Sequence, residues 1–189
     1  MKGCLIWVGA RSLEVVQGNL LEERVHAIVN SAPTSLVGGK GLDKEVKSAG
    51  GLRLLDACRK VGTCAVGDAV FTPGFSLKAK FVIHAVPPLY EDGTKGEAEL
   101  LRKTYRHVLQ IAASNSLVSL SFPALGVGSN NFPVEVAAPI AFEEIIEHLF
   151  SKSSVRTVRY LLLRPERLKP HLDALREVAQ KRSLRVIDL

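Results

Sequence analysis

The chain has 189 residues, of which 47% are hydrophobic and 23% charged, with a formal net charge of +6. Such values are ordinary for a soluble globular protein, and the length suits one α/β domain over residues 1–189 with a proper core. No apolar run approaches the roughly 20 residues that span a bilayer, and the short run Cys4–Val8 is too little for a secretory signal, so no membrane partner is expected.

The three cysteines, Cys4, Cys58 and Cys64, are odd in number and lack metal-ligand spacing. They are expected to be structural thiols in a reducing compartment, nuclear or cytoplasmic, with no metal and no cofactor. The five histidines are scattered, and His84, inside an apolar run, reads as a core histidine. The charge is uneven. Residues 1–151 are balanced, whereas 152–189 hold ten basic against four acidic residues. That basic segment is either a solvated helix face or a surface for nucleic acid.

In chain order, Leu5–Val8 and Leu13–Val16 are aliphatic runs separated by Gly9-Ala10-Arg11-Ser12, which predicts two strands and a turn. Leu21–Arg24 makes one helical turn, and Ala27–Asn30 is a buried strand. A helix is predicted from Leu42, broken at Gly50-Gly51 and resumed to about Val61. Strands are predicted at Asp68–Thr72 and Phe81–Val86. Leu100, Leu101, Tyr105, Val108, Leu109 and Ala112 predict a helix from Glu97 to about Ser114. Val118–Phe122 is another buried strand. Val134–Phe150 has the strongest amphipathic pattern. Val155–Leu163 reads as a strand, Pro165 to about Lys181 as a helix, and Arg185–Ile187 as a last edge strand. Alternating strands and helices predict an α/β fold with a mixed, mostly parallel sheet.

Two glycine-bearing turns stand out: V-G-G-K-G-L-D at Val37–Asp43 and A-L-G-V-G-S-N-N-F-P at Ala124–Pro133. Each follows a buried strand and leads into a helical pattern. Free N–H groups and the helix dipole favour phosphate at such a junction, so two turns suggest a ligand with two phosphates. Lys40 either meets a phosphate or faces solvent.

The chain resembles a macro domain, the ADP-ribose-binding α/β module. The resemblance runs from about Leu13 to Leu168 and rests on V-V-Q-G-N-L, H-A-I-V-N, G-G-K-G-L-D, A-K-F-V-I-H-A-V and S-F-P-A-L-G-V-G-S-N-N-F-P, in that order. It implies a three-layer α-β-α fold. The second half is most similar to the non-hydrolytic macro domains fused to a variant histone or found within poly-ADP-ribose polymerase family proteins. By resemblance, Gly38, Gly39, Gly41 and Leu42 wrap the diphosphate and distal ribose together with Leu125, Gly126, Val127, Gly128, Ser129 and Asn130. Asn19, Leu20 and Leu163 fall at the adenine end.

Four positions depart from the family pattern. Asn19 replaces an aspartate, which turns a charge-assisted bond to adenine into a neutral one, roughly half as strong. Leu163 replaces a stacking aromatic worth about 0.5–1.5 kcal/mol. Pro33 replaces a second asparagine, and Asn130 an aromatic near the distal ribose. Asn30 and Asp43 match the family and are the candidate catalytic residues. Asp43 either orients a water or caps the helix beside it, with capping the favoured role. The expected function is recognition of free or protein-linked ADP-ribose, with weakened affinity and without catalysis. The alternatives are a mono-ADP-ribosyl hydrolase using Asp43 and Asn30, and a nucleic-acid or protein interaction domain that has lost the nucleotide.

Overall fold

The structure, a computed structural model, describes residues 3–189. Strands β1 (Gly3–Val8) and β2 (Arg11–Gln17) form the expected hairpin, antiparallel and in register from Gly3 opposite Val16 to Val8 opposite Arg11. A 3-10 turn at Leu20–Glu22 leads to β3 (Ala27–Ser31) and α1 (Leu42–Val61). Then come β4 (Ala69–Pro73), β5 (Phe81–Ala85), α2 (Glu97–Ser114), β6 (Ser119–Pro123), α3 (Val134–Phe150), β7 (Thr157–Leu162), α4 (Leu168–Lys181) and β8 (Val186–Asp188).

The eight strands among the described residues join one sheet in the order β4-β5-β3-β6-β7-β2-β1-β8. The five central strands, β5 to β2, pair in parallel, while β4, β1 and β8 pair antiparallel at the margins. Helices α2, α3 and α4 cover one face over a large core that includes Tyr105, Phe122, Phe142 and Tyr160. Helix α1 covers the other face over a smaller core of Ile28, Val46, Leu54, Cys58 and Val82. Central strands are therefore buried on both sides, which is why β3 and β5 read as unbroken apolar runs. Aromatic contacts tie the larger core together, with Tyr105 stacked on Phe122 at 5.6 Å and Phe142 edge-on to Tyr160 at 5.0 Å.

As expected, the glycine pair breaks α1 into two helical segments: Gly51, at φ +76° and ψ −174°, is non-helical. Two elements differ from expectation. Helix α3 is not the most two-faced. It lies between α2 and α4 and buries residues around most of its circumference, Glu144 included, so its apolar content reflects double packing. The final helix opens with a 3-10 turn at Pro165–Arg167 before α4 begins.

The topology also creates the crevice. Neighbouring parallel strands β3 and β6 send their chains to opposite faces, β3 into α1 and β6 into α3. Such a switch opens a cleft beyond the carboxyl ends of the strands. Among the described residues no helix is long and apolar enough to cross a membrane.

Candidate functional site

The loops after β2, β3, β6 and β7 converge on a cleft of about 320 Å³. Gly18, Asn19 and Leu20 come from the first loop and Ser31, Lys40, Gly41, Leu42 and Glu45 from the second. The third brings Gly126, Gly128, Ser129 and Asn130, and the fourth Leu163, Arg164 and Arg167. A further cavity of about 280 Å³ shares Ser31, Lys40, Ser129 and Asn130 with the cleft and extends it past Pro33, Gly39 and Asp43.

Helix α1 points its N-terminus into the cleft. Its cap is Gly41, at φ +53°, and no side chain satisfies the first-turn amides. Those N–H groups are left for an outside acceptor, and the dipole makes that acceptor an anion. Lys40 adds a formal charge at the same rim.

Beneath this loop lies a buried polar network. Asn30 is 0% exposed and Asp43 1% exposed. Asp43 accepts from Asn30 Nδ2 at 2.7 Å and from Lys47 Nζ at 2.6 and 2.5 Å, so both carboxylate oxygens are engaged. The Asn30 amide also lies 3.2 Å from His84 Nδ1, which places the ring proton on Nε2, facing Thr72 Oγ1 at 2.9 Å. Burial pushes the His84 pKa down to about 3, so the ring is neutral. As expected, His84 is a core histidine.

This geometry corrects the helix-cap role of Asp43. The residue lies inside the first turn of α1, and its carboxylate points to Lys47 and Asn30 rather than to an orphan amide. The side chain also explains Gly39, because a Cβ there would lie 1.9 Å from Asp43 Oδ2. The i,i+4 spacing of Asp43 and Lys47 was the sequence signal for this pair.

The second glycine loop is held differently. Gly126 sits at φ +83°, and a Cβ would come within 2.8 Å of the Phe132 ring. Asn130 donates to the carbonyls of Pro87 and Pro88 at 2.9 and 3.0 Å, and its own carbonyl accepts from Tyr90 N at 2.8 Å. Arg167 donates to the Val127 carbonyl at 3.2 Å. Gly128 is the exception: its φ lies outside the left-handed region, and a Cβ would meet nothing within 4 Å.

Of the predicted residues, Asn19, Leu20, Gly41, Leu42, Gly126, Gly128, Ser129, Asn130 and Leu163 line the cleft, and Gly39 and Asp43 line its extension. Asn30, Gly38, Leu125 and Val127 line neither cavity; Asn30 and Leu125 are fully buried, and Gly38 shapes the loop at φ +72°. At the end expected to hold adenine, Asn19 Oδ1 already accepts from Leu21 N at 3.0 Å, and Leu163 is 62% exposed. Arg164 and Arg167 on the cleft, Val66 and Leu89 on its extension, and Lys47 in the buried network were missed. In segment 152–189, Arg159 pairs with Glu14 and Glu23, Lys169 with Asp173, Arg176 with Asp188 and Arg182 with Glu147.

The family model described as Macro domain matches residues 29–141. An O-acetyl-ADP-ribose deacetylase of Salmonella newport is 42% identical over 141 residues, covering 72% of this chain and 79% of the relative. A solved Oceanobacillus iheyensis macrodomain with ADP superposes with a TM-score of 0.89 at 29% identity, covering 96% of this chain and 99% of the other. A Trypanosoma brucei macrodomain in complex with ADP-ribose gives 0.80 at 27% identity, with 86% and 68% covered.

Two predictions follow from the buried network. Lys47→Met strands the Asp43 carboxylate and is expected to cost about 3–5 kcal/mol in urea unfolding; a loss below about 1 kcal/mol contradicts the pairing. The folded-state pKa of His84 lies below the ordinary 6.5, so below pH 6.5 the unfolded chain takes up a proton that the folded chain does not. Stability then falls as pH drops from 6.5 towards 3. Between pH 7 and 5 the wild type should lose about 2 kcal/mol more than His84→Gln, whereas parallel curves would contradict a neutral, buried His84.

Proposed function

We propose that this chain, which belongs to the macro domain family, binds ADP-ribose, free or protein-linked, as a recognition module without catalysis. The observation that carries the reading is Gly128. Neither the backbone nor packing within the chain requires glycine there, and the position lines the cleft opposite the uncapped N-terminus of α1. Close approach of a ligand to the backbone is a reason for glycine that does not depend on the fold. The α1 amides on one side and the second glycine loop on the other suit a diphosphate. The relatives solved with ADP and with ADP-ribose support the same ligand class.

At the adenine end, affinity rests on a neutral and partly occupied Asn19 oxygen and on no aromatic face, so binding is weaker than a full set of contacts would give. The free thiols suit a reducing compartment, nuclear or cytoplasmic. A nucleic-acid role for 152–189 draws no support from the ion pairs that its basic residues make with acids of the same chain.

A second reading, hydrolysis of an ADP-ribosyl ester, is favoured by the name of the Salmonella relative and by the place of Asp43 on the cleft extension. Against it stand Pro33, which offers no polar side chain, and the engagement of both Asp43 oxygens.

Calorimetry with ADP-ribose is expected to give saturable binding that Gly128→Val weakens at least about tenfold, with an unchanged unfolding midpoint. Absence of heat and of thermal shift at millimolar ligand would contradict the reading. With O-acetyl-ADP-ribose, acetate release should be no faster than in buffer. Release that is faster and is lost in a folded Asp43→Asn variant establishes the second reading instead.

A further inference from the structure

The charges that line the cleft are unevenly placed. They are Lys40, Arg164 and Arg167 against Glu45. Lys40 stands beside the N-terminus of α1, whereas both arginines come from the segment between β7 and α4. That segment starts next to the loop after β2, because Gly18 N donates to the Leu162 carbonyl at 3.1 Å. Arg164 and Arg167 thus belong with Asn19 and Leu163, and none of the four lines the cleft extension. Among the described residues the exposed Arg164 makes no side-chain hydrogen bond or ion pair. Arg167 donates to the Val127 carbonyl and has no carboxylate partner. Glu166, between them in sequence, pairs with neither and stands outside the cleft lining. Asn19 Oδ1 accepts from Leu21 N, while its amide N–H groups have no partner within the chain. Arg159, on β7, shows the contrast, since Glu14 and Glu23 both hold it.

We propose that Arg164 and Arg167, with the Asn19 amide, form a subsite for a phosphate monoester on the adenosine ribose, at its 2′ or 3′ oxygen, so that the cleft favours a phosphorylated ADP-ribose. This rests on the cleft binding ADP-ribose as proposed above, with adenine at Asn19. The chemistry of the donors identifies the group. This end of the cleft offers two guanidinium forks and an amide, all donors, and a fork without a carboxylate suits a phosphate bidentately. The adenine amine is itself a donor and gains no hydrogen bond from either arginine. The diphosphate has its own partners in the α1 amides, Lys40 and the second glycine loop. Between adenine and diphosphate lies the adenosine ribose, whose free hydroxyls are the 2′ and 3′ ones. A phosphate on either stands next to the base, where the arginines are, and meets no acidic side chain from that segment of the wall.

The test is calorimetry on the whole chain with ADP-ribose, ADP-ribose 2′-phosphate and ADP-ribose 3′-phosphate at low salt. At least one isomer should bind about tenfold tighter than ADP-ribose, and the tighter isomer identifies the ribose oxygen. The margin should shrink as salt rises. The readout is the ratio of the two affinities within each protein, because a change in folding, or in stacking of adenine on a guanidinium, moves both ligands alike. Arg164→Gln/Arg167→Gln should bring that ratio to within about twofold of unity. Equal or weaker binding of both isomers by wild-type protein that takes up ADP-ribose overturns the subsite alone, as does a ratio that the double variant leaves unchanged. If none of the three ligands binds, the reading of the cleft falls, and the subsite with it.

Discussion

The ion pair between Asp43 and Lys47 governs the shape of the first glycine loop. A carboxylate 1% exposed is tolerable only when its oxygens are satisfied, and Lys47 and Asn30 satisfy them from below. The buried group then dictates what lies above it. Gly39 must lack a side chain because the carboxylate fills the space, and the chain reaches α1 through Gly41 in a left-handed conformation with no side-chain cap. The uncapped helix end, which leaves the first amides of α1 without a side-chain partner at the cleft, is a consequence of that route. The same interaction occupies a carboxylate that ester hydrolysis would otherwise use.

The second loop has no buried charge. It is braced from the sides, by Asn130 against the carbonyls after β5 and by Arg167 from the turn before α4. Phe132 packs under Gly126 and against Tyr90, with ring centroids 4.9 Å apart. Asn130, read from the sequence as an altered distal-ribose position, thus also does structural work, joining the second glycine loop to the segment after β5. Cleft and extension are consequently parts of one braced unit, and a ligand spanning both would meet surfaces already in place.

Much of the fold was legible because local and tertiary preferences agree. The bounds of α2 and α3 match the apolar spacing from Glu97 and from Val134, and β3 and β5 declare their double burial as unbroken aliphatic runs. The break at Gly51 was legible from the glycine pair; that both halves, through Val46 and Leu54, pack on the same core was not. The glycine loops announced the cleft. Side-chain direction was not legible: Asp43 has the composition of a cap and the geometry of a buried ion-pair partner. Arg164 and Arg167 entered the cleft wall because β7 ends beside the second loop, a fact of sheet order rather than of motif. Val66 and Leu89 are distant in sequence and line one cavity only because the fold brings their loops together.

The most direct measurement is a crystal structure of the chain with ADP-ribose. The diphosphate should lie between the amides at the start of α1 and the backbone at Gly126–Ser129, with the distal sugar at Lys40 and Asn130 and the adenine beside Asn19 and Leu163. Ligand bound at another surface, or an empty cleft at saturating ADP-ribose, would contradict this account.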